Sequence, residues 1–229
     1  MKTIFISATN TNIGKTHTSC MLSDYLNQIG LKTLISKPIE TGDNGKTRLD
    51  CQIHLEKNKK IHPKLTLEDI NFYRYKIPAS PFVAQIDNPK APKIDFKYIA
   101  KKISELENKC DILLVEGAGG LLVPIDLEHN MFDLAKYLNA HLLLISSDKL
   151  GMINDLLLNK EFLKTKNITT TYVINMLDEK NYNKISKPYI DHLNNISKNT
   201  IHNLQKDISK ITSEILLFAQ DTHFENKYL

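Results

Sequence analysis

The stretch "TIFISATNTNIGKTHTS", residues 3–19, constrains this chain more than any other. A short apolar run rich in β-branched residues, Thr3 to Ala8, is followed by the turn Gly14-Lys15-Thr16, and then by helical spacing that stops at Gly30. Strand, glycine turn and helix in that order aim the first backbone N–H groups of the helix at an anion, and the helix dipole favours negative charge there. Gly14 lets the backbone come close to a phosphate, Lys15 reaches the outer phosphates, and the Thr16 hydroxyl is a ligand for Mg²⁺. The loop departs from G-x-x-x-x-G-K-[ST], because Thr9 stands where that spacing wants glycine.

The same alternation recurs down the chain. "KTLISK" (32–37), "DILLVEGAGG" (111–120), "HLLLISS" (141–147) and "TTTYVIN" (169–175) read as further strands, with helical patterns at 95–108, 131–139 and 152–166. Apolar runs without alternation suit strands covered on both faces. The expected fold is therefore α/β, a doubly wound, mostly parallel sheet with helices on both faces. Ligands of such sheets bind at the carboxyl ends of the strands, which points to residues 8–16, 37–43, 116–120, 146–151 and 175–178. Residues 56–68 and 87–95 read as loops or insertions. All eight glycines lie at or before Gly151, so later turns must form without them. No linker composition divides the chain, and residues 1–229 are expected to form a single domain.

Composition narrows the classes of function. A net charge of +4 fits an enzyme that handles anions, and the basic runs at Lys57–Lys60 and Lys101-Lys102 are too short for a nucleic-acid face. The three cysteines show no C-x-x-C spacing, so no zinc site or disulfide framework is expected. No apolar run has the length of a membrane span, and the start of the chain lacks the pattern of a signal peptide. The expectation is a cytoplasmic enzyme without membrane or nucleic-acid partners.

Two further motifs carry chemistry. In "SKPIETG" (36–42), Lys37 sits at a strand end, where its charge can stabilise a phosphoryl group or an anionic substrate. In "LLVEGAGG" (113–120), Glu116 ends an apolar strand, the place of a metal-binding acid, and Gly117, Gly119 and Gly120 let the chain pass close to a ligand. A buried Glu116 needs a cation to balance it. Asp50 is a second candidate for an oxygen-ligated Mg²⁺.

Together these motifs resemble the dethiobiotin synthetases, P-loop enzymes of biotin synthesis. "ATNTNIGKT" is similar to their longer loop G-T-D-T-x-V-G-K-T, with Ala8 for the first glycine, Asn10 for the aspartate, and Asn12 where a glutamate is usual. "KPIETG" matches K-P-[VI]-x-[ST]-G, "VEGAGG" matches letter for letter, "KLGMIN" (149–154) resembles K-L-G-x-I-N, and "ASP" (79–81) falls where the family has Ser-Pro. The resemblance implies that ATP or another nucleoside triphosphate, with Mg²⁺, drives CO₂ (or bicarbonate) and 7,8-diaminononanoate to dethiobiotin, through a carbamate and a carbamic-phosphoric anhydride, releasing ADP and phosphate. It implies Lys37, Lys15 and Thr11 as catalytic residues, and Thr16, Asp50 and Glu116 as Mg²⁺ ligands. The implied nucleotide site is Asn12, Ile13, Gly14, Lys15, Thr16, Thr18, Asp50, Glu116, Gly117, Ala118, Gly119, Asn175 and Met176. Thr41, Ser80, Pro81 and Gly119 would line the substrate side. In a homodimer the second chain would bring Leu150 and Asn154 to it. No role is assigned to the histidines.

Two rival readings share this sheet: another ATP-dependent amide-forming ligase, and a partitioning-type regulatory ATPase. The latter group carries a lysine in K-G-G-x-G-K-T that this chain lacks, having Asn10 there. By resemblance Asn175 faces adenine, yet Met176 replaces the usual aspartate, and residues 194–207 contain no Gly-x-[IV]-Pro turn. "NMLD" (175–178) partly matches the guanine-reading N-K-x-D. Few placed donors and acceptors mean weak base discrimination.

Overall fold

The computed structural model describes residues 2–45, 48–197 and 200–221. Its strands are β1 (Lys2–Ala8), β2 (Thr33–Ser36), β3 (Ile39–Thr41), β4 (Tyr73–Tyr75), β5 (Ile112–Glu116), β6 (His141–Ser147), β7 (Thr170–Asn175) and β8 (Ile201–Asn203). Six of them form one parallel sheet in the order β2-β5-β1-β6-β7-β8, and β3 pairs with β4 in a small parallel sheet of its own. The helices are α1 (Lys15–Gln28), α2 (Asp50–Asn58), α3 (Leu67–Ile70), α4 (Pro81–Asp87), α5 (Phe96–Glu107), α6 (Met131–Tyr137), α7 (Met152–Thr165), α8 (Glu179–Ile185), α9 (Lys187–Ile196) and α10 (Ile208–Asp221).

Successive residues of a strand point to opposite faces, and here both faces are apolar. Ile4, Ile6 and Ala8 of β1 pack with Leu22 and Leu26 of α1 and Ile211 and Ile215 of α10. Phe5, between them, packs with the opposite layer, which includes Ile99 and Ile103 of α5, Phe132 of α6 and Leu156 of α7. The sheet is thus doubly wound, as the unalternating apolar runs require. Because all six strands run the same way, the exits of β1, β2, β5, β6 and β7 lie along one rim. Among the described residues no helix is long and apolar enough to cross a membrane.

Several elements are not legible in the hydrophobic pattern. Residues 56–58 finish α2, and 67–68 begin α3, inside the segment read as a loop. Strands β3, β4 and β8 have three residues each, too few to show a period. In the glycine-free C-terminal third the turn after α7 uses a left-handed asparagine instead: Asn167 has φ 54°, and asparagine tolerates that region better than other non-glycine residues.

Both edges of the main sheet end on an asparagine. On β2, Asn58 of α2 donates to the Ile35 carbonyl at 2.7 Å and accepts from the Ile35 N–H at 2.8 Å. On β8, Asn194 of α9 does the same to Ile201, at 3.0 and 2.8 Å.

A polar cluster fastens α10 to the sheet. Thr171 of β7 donates to Glu214 at 2.8 Å, and His202 Nε2 lies 2.7 Å from the other oxygen of Glu214. His141 Nε2 lies 2.9 Å from Thr171 Oγ1, whose proton is directed at Glu214, so His141 is the donor; its ring stacks on Phe218 with centroids 4.7 Å apart. Burial pulls the His141 pKa down to about 4. Above the unfolded histidine value, about 6.5, both states are neutral there. As pH falls from about 6.5 to about 4, the unfolded chain takes a proton that the native state refuses, so stability is lost through that window. We expect urea midpoints to fall across this range, and to fall less steeply in His141→Gln. Equal acid sensitivity in the two proteins would remove His141 as a source of the loss.

Candidate functional site

β1 ends at Ala8, and the next six residues wrap back to the start of α1. The wrap uses two left-handed residues, Asn12 at φ 57° and Gly14 at φ 98°. A Cβ on Gly14 would lie 2.1 Å from Asn175 Nδ2. That amide donates to the Ile13 carbonyl at 2.9 Å, so the end of β7 braces the loop from beneath. Thr18 donates to the Gly14 carbonyl at 2.9 Å and is buried. The first turn of a helix has N–H groups without intrahelical partners. Here that turn lines a cleft of about 820 Å³.

Opposite the loop, β5 ends in Glu116, 1% exposed and in register with Ile6 of β1. Its Oε1 accepts from Lys37 Nζ at 2.7 Å and from Thr16 Oγ1 at 3.0 Å. Its Oε2 lies 2.7 Å from His54 Nε2 and 3.1 Å from Ser19 Oγ. Lys37 Nζ also donates to Asp50 at 2.9 Å and lies 3.9 Å from Glu40. Burial alone would depress Lys37, but the carboxylates of Glu116, Glu40 and Asp50 hold it above the ordinary lysine range. Burial alone would raise Glu116, but Lys37 and His54 hold it well below the usual carboxylate range. Lys15 is different: burial, aided by Lys37, pulls it down to about 8. Burial pushes Glu40 up.

The cleft brings together Thr11, Asn12, Gly14, Lys15, Thr16, Lys37, Thr41, Asp50, Ser80, Pro81, Glu116, Ala118 and Gly119 from separate stretches of sequence. The β3–β4 pair presents Glu40 and Thr41, and Ser80 caps α4 by accepting from the Val83 N–H at 3.4 Å. Ile13 is buried under the loop. Gly117 passes so close to Phe5 that a Cβ would sit 3.0 Å from the ring, and Gly119 has φ 72°.

Other candidates fall outside this lining. Asn175 and Met176 are buried: Asn175 Oδ1 accepts from Gln205 Nε2 at 2.8 Å, and the Met176 N–H donates to Gln205 Oε1 at 3.1 Å. One N–H and one lone pair of the Asn175 amide are thus engaged within the protein. Asp178 accepts from the Asn181 N–H at 3.0 Å as the cap of α8, a structural use for the acid of the partial guanine motif. Leu150 and Asn154 are exposed beyond β6 and do not line this protomer's cleft.

Three buried residues of the site were not read from the sequence: Ser19, Glu40 and His54. The signal for His54 was its place four residues after Asp50, which puts both on one face of a helix.

Thr16, Asp50 and Glu116 offer hard oxygen donors around one space, and the Lys37 ammonium bridging the two acids shows that they hold a cation. Among the described residues no three His, Cys, Asp or Glu side chains form a metal cage. Two carboxylates and a hydroxyl suit Mg²⁺, which is usually bound jointly by protein, phosphates and water. An anion-binding helix start, two lysines and two acids can support phosphoryl transfer, which needs positioning and charge compensation rather than a protein nucleophile.

Comparison with known proteins gives consistent results. A family described as an AAA domain matches residues 2–206. The ATP-dependent dethiobiotin synthetase BioD of Helicobacter pylori is 42% identical over 214 residues, covering 92% of this chain and 98% of that protein. The protein of the same name from Wolinella succinogenes is 42% identical over 193 residues, covering 82% and 88%. The MinC:MinD cell division protein complex of Aquifex aeolicus superposes with a TM-score of 0.53 at 16% identity, covering 98% of this chain and 90% of that one; the likeness is one of fold.

The contact between Gly14 and Asn175 makes a test of the loop. Gly14→Ala would combine a strained left-handed alanine with an overlap against Asn175. Nucleotide affinity, measured by calorimetry, should fall by about tenfold or more, roughly 1.4 kcal/mol. Wild-type affinity in a folded Gly14→Ala protein would show that the loop does not need this geometry.

Proposed function

The chain belongs to the ATP-dependent dethiobiotin synthetase family, and on that premise we propose that its cleft closes a cyclic urea on 7,8-diaminononanoate at the expense of a nucleoside triphosphate. The observation that carries the reading is the convergence of Lys15, Lys37, Thr41, Asp50, Ser80 and Glu116 on one cleft at the carboxyl rim of the sheet.

The reaction begins when one amine of the substrate adds CO₂ to give a carbamate. A carbamate oxygen attacks the γ-phosphorus, the bond to the bridging oxygen breaks, and ADP leaves. The second amine then attacks the carbonyl carbon of the mixed anhydride, and phosphate departs as the ring closes. Backbone N–H groups at the start of α1 and the Lys15 ammonium hold the phosphates. Lys15, drawn down to about 8 by burial, is held more firmly in its charged form once a triphosphate lies beside it. Lys37 keeps its charge throughout and offsets the negative charge shared by carbamate and γ-phosphate. Thr11 adds a donor at the same point. Mg²⁺, when held by Thr16, Asp50 and Glu116, would neutralise phosphate charge. Thr41, Ser80, Pro81 and Gly119 face the carbon chain and amines of the substrate. The reading is of a cytoplasmic homodimer, in which a second copy completes the substrate site with its own Leu150 and Asn154.

Phosphate release should require both the diamine and bicarbonate, and dethiobiotin should accumulate in step with it. Release indifferent to the diamine would sink the synthetase reading. Lys37→Gln keeps a donor but loses the charge, and should lower kcat by on the order of a hundredfold. Because Lys37 also neutralises Glu116, circular dichroism must establish that the assayed variant is folded. Wild-type turnover in that variant would take Lys37 out of the reaction.

Base selectivity should be weak. Half of the hydrogen-bonding capacity of Asn175 is directed at Ile13 and Gln205, and Asp178 caps α8. We expect kcat/KM for ATP to exceed that for GTP by no more than about tenfold, roughly 1.4 kcal/mol. A preference above about a hundredfold would mean that other residues read the base.

A further inference from the structure

Glu116 divides its two oxygens between two sides of the site. Oε1 faces the cleft, with Lys37 at 2.7 Å and Thr16 at 3.0 Å. Oε2 faces away from it, with His54 Nε2 at 2.7 Å and Ser19 Oγ at 3.1 Å. The side chains of His54 and Glu116 are both 0% exposed, so water cannot replace this bond. The terminal torsion of a glutamate is broad and roughly twofold. The single Ser19 proton is shared with the Lys15 carbonyl, which lies nearer at 2.9 Å, so His54 is the one donor committed to Oε2, and it fixes the plane of a carboxylate that could otherwise turn or tilt.

The other ring nitrogen of His54 has only a weak neighbour, Cys20 Sγ at 4.0 Å. The bond to Glu116 is therefore the dominant polar contact of the ring, and an ionised carboxylate can only accept, which makes Nε2 the donor. His54 lies one helical turn after Asp50 on α2. One helix thus carries one candidate metal ligand and pins the other.

We propose that His54 is a positioning residue: its Nε2–H fixes Glu116 so that Oε1 meets the divalent cation that accompanies the nucleotide. The inference rests on the reading of Glu116 as a Mg²⁺ ligand. Donors behind a metal-ligating group orient it, and removing one typically costs about 10–100-fold in metal affinity. The rival role for His54 is bulk, filling buried space behind the sheet.

Mn²⁺, in place of Mg²⁺, separates the two. It is titrated by electron paramagnetic resonance into the full chain saturated with a non-hydrolysable ATP analogue. His54→Leu keeps bulk without a donor, and His54→Gln supplies an amide N–H near the position of Nε2. Mn²⁺ affinity should fall by about 10–100-fold in His54→Leu and recover to within about threefold in His54→Gln. The half-saturating Mg²⁺ concentration for turnover should move in parallel, with KM for the diamine unchanged. Wild-type Mn²⁺ affinity in a folded His54→Leu protein would overturn the proposal, as would a His54→Gln protein no better than His54→Leu. If His54→Leu does not fold, His54→Gln decides alone: affinity within about threefold of wild type supports the role, and a loss of about tenfold or more overturns it. The titration contains neither diamine nor bicarbonate. A shift in Mn²⁺ affinity without any dethiobiotin formation would therefore uphold His54 and overturn the ring-closure reading.

Discussion

The buried charge of Glu116 is the interaction on which the cleft depends. A carboxylate at the end of a central strand, 1% exposed, would cost several kcal/mol if left alone. It is compensated from three directions: Thr16 and Ser19 come from α1, Lys37 from the exit of β2, and His54 from α2. Each of these segments also carries a candidate group for chemistry, so neutralising one charge brings the parts of the cleft into register. Removing one partner of such a buried set typically costs about 3–5 kcal/mol. Folding and site assembly are therefore one event here.

The two lysines of the cleft divide the electrostatic work. Lys37, enclosed by three acids, is a permanent cation whose position is fixed before any ligand arrives. Lys15, buried beside it without a hydrogen-bonded acid of its own in the hydrogen-bond network around Glu116, is pulled down to about 8 by burial. One is tied into a ring of acids, and the other is left outside it. Asn175 adds a mechanical link: it ties the last residue of β7 to the carbonyl before Gly14, so the end of that strand and the loop before α1 are joined directly.

The long strands were legible because they are buried on both faces: β1, β5, β6 and β7 are nearly continuous apolar runs, and their boundaries fall within a residue or so of the pattern, apart from the glycine loop read together with β5. The residues lining the cleft were legible as motifs, since Lys37 and Glu116 sit at strand exits and Gly14 at the start of the first helix. What escaped was set by tertiary contact. Strand β8 has three residues and exists because β7 offers it an edge. The brace from Asn175 to Ile13 spans 162 positions, which no local pattern records. His54 belongs to a helix that begins after residues 46 and 47, within a stretch where polar residues hide the period, and its meaning comes from a carboxylate 62 positions away.

An open parallel sheet has two edges, and an unpaired edge is a template for another strand. In this protein Asn58 and Asn194 each present an amide that imitates a neighbouring residue's backbone, one donor and one acceptor, to Ile35 on β2 and to Ile201 on β8. The ladder is thereby terminated at these positions by side chains of the same molecule. Copies of the chain are discouraged from joining sheet to sheet into a fibre. Association through helices and loops, by contrast, is blocked by neither amide.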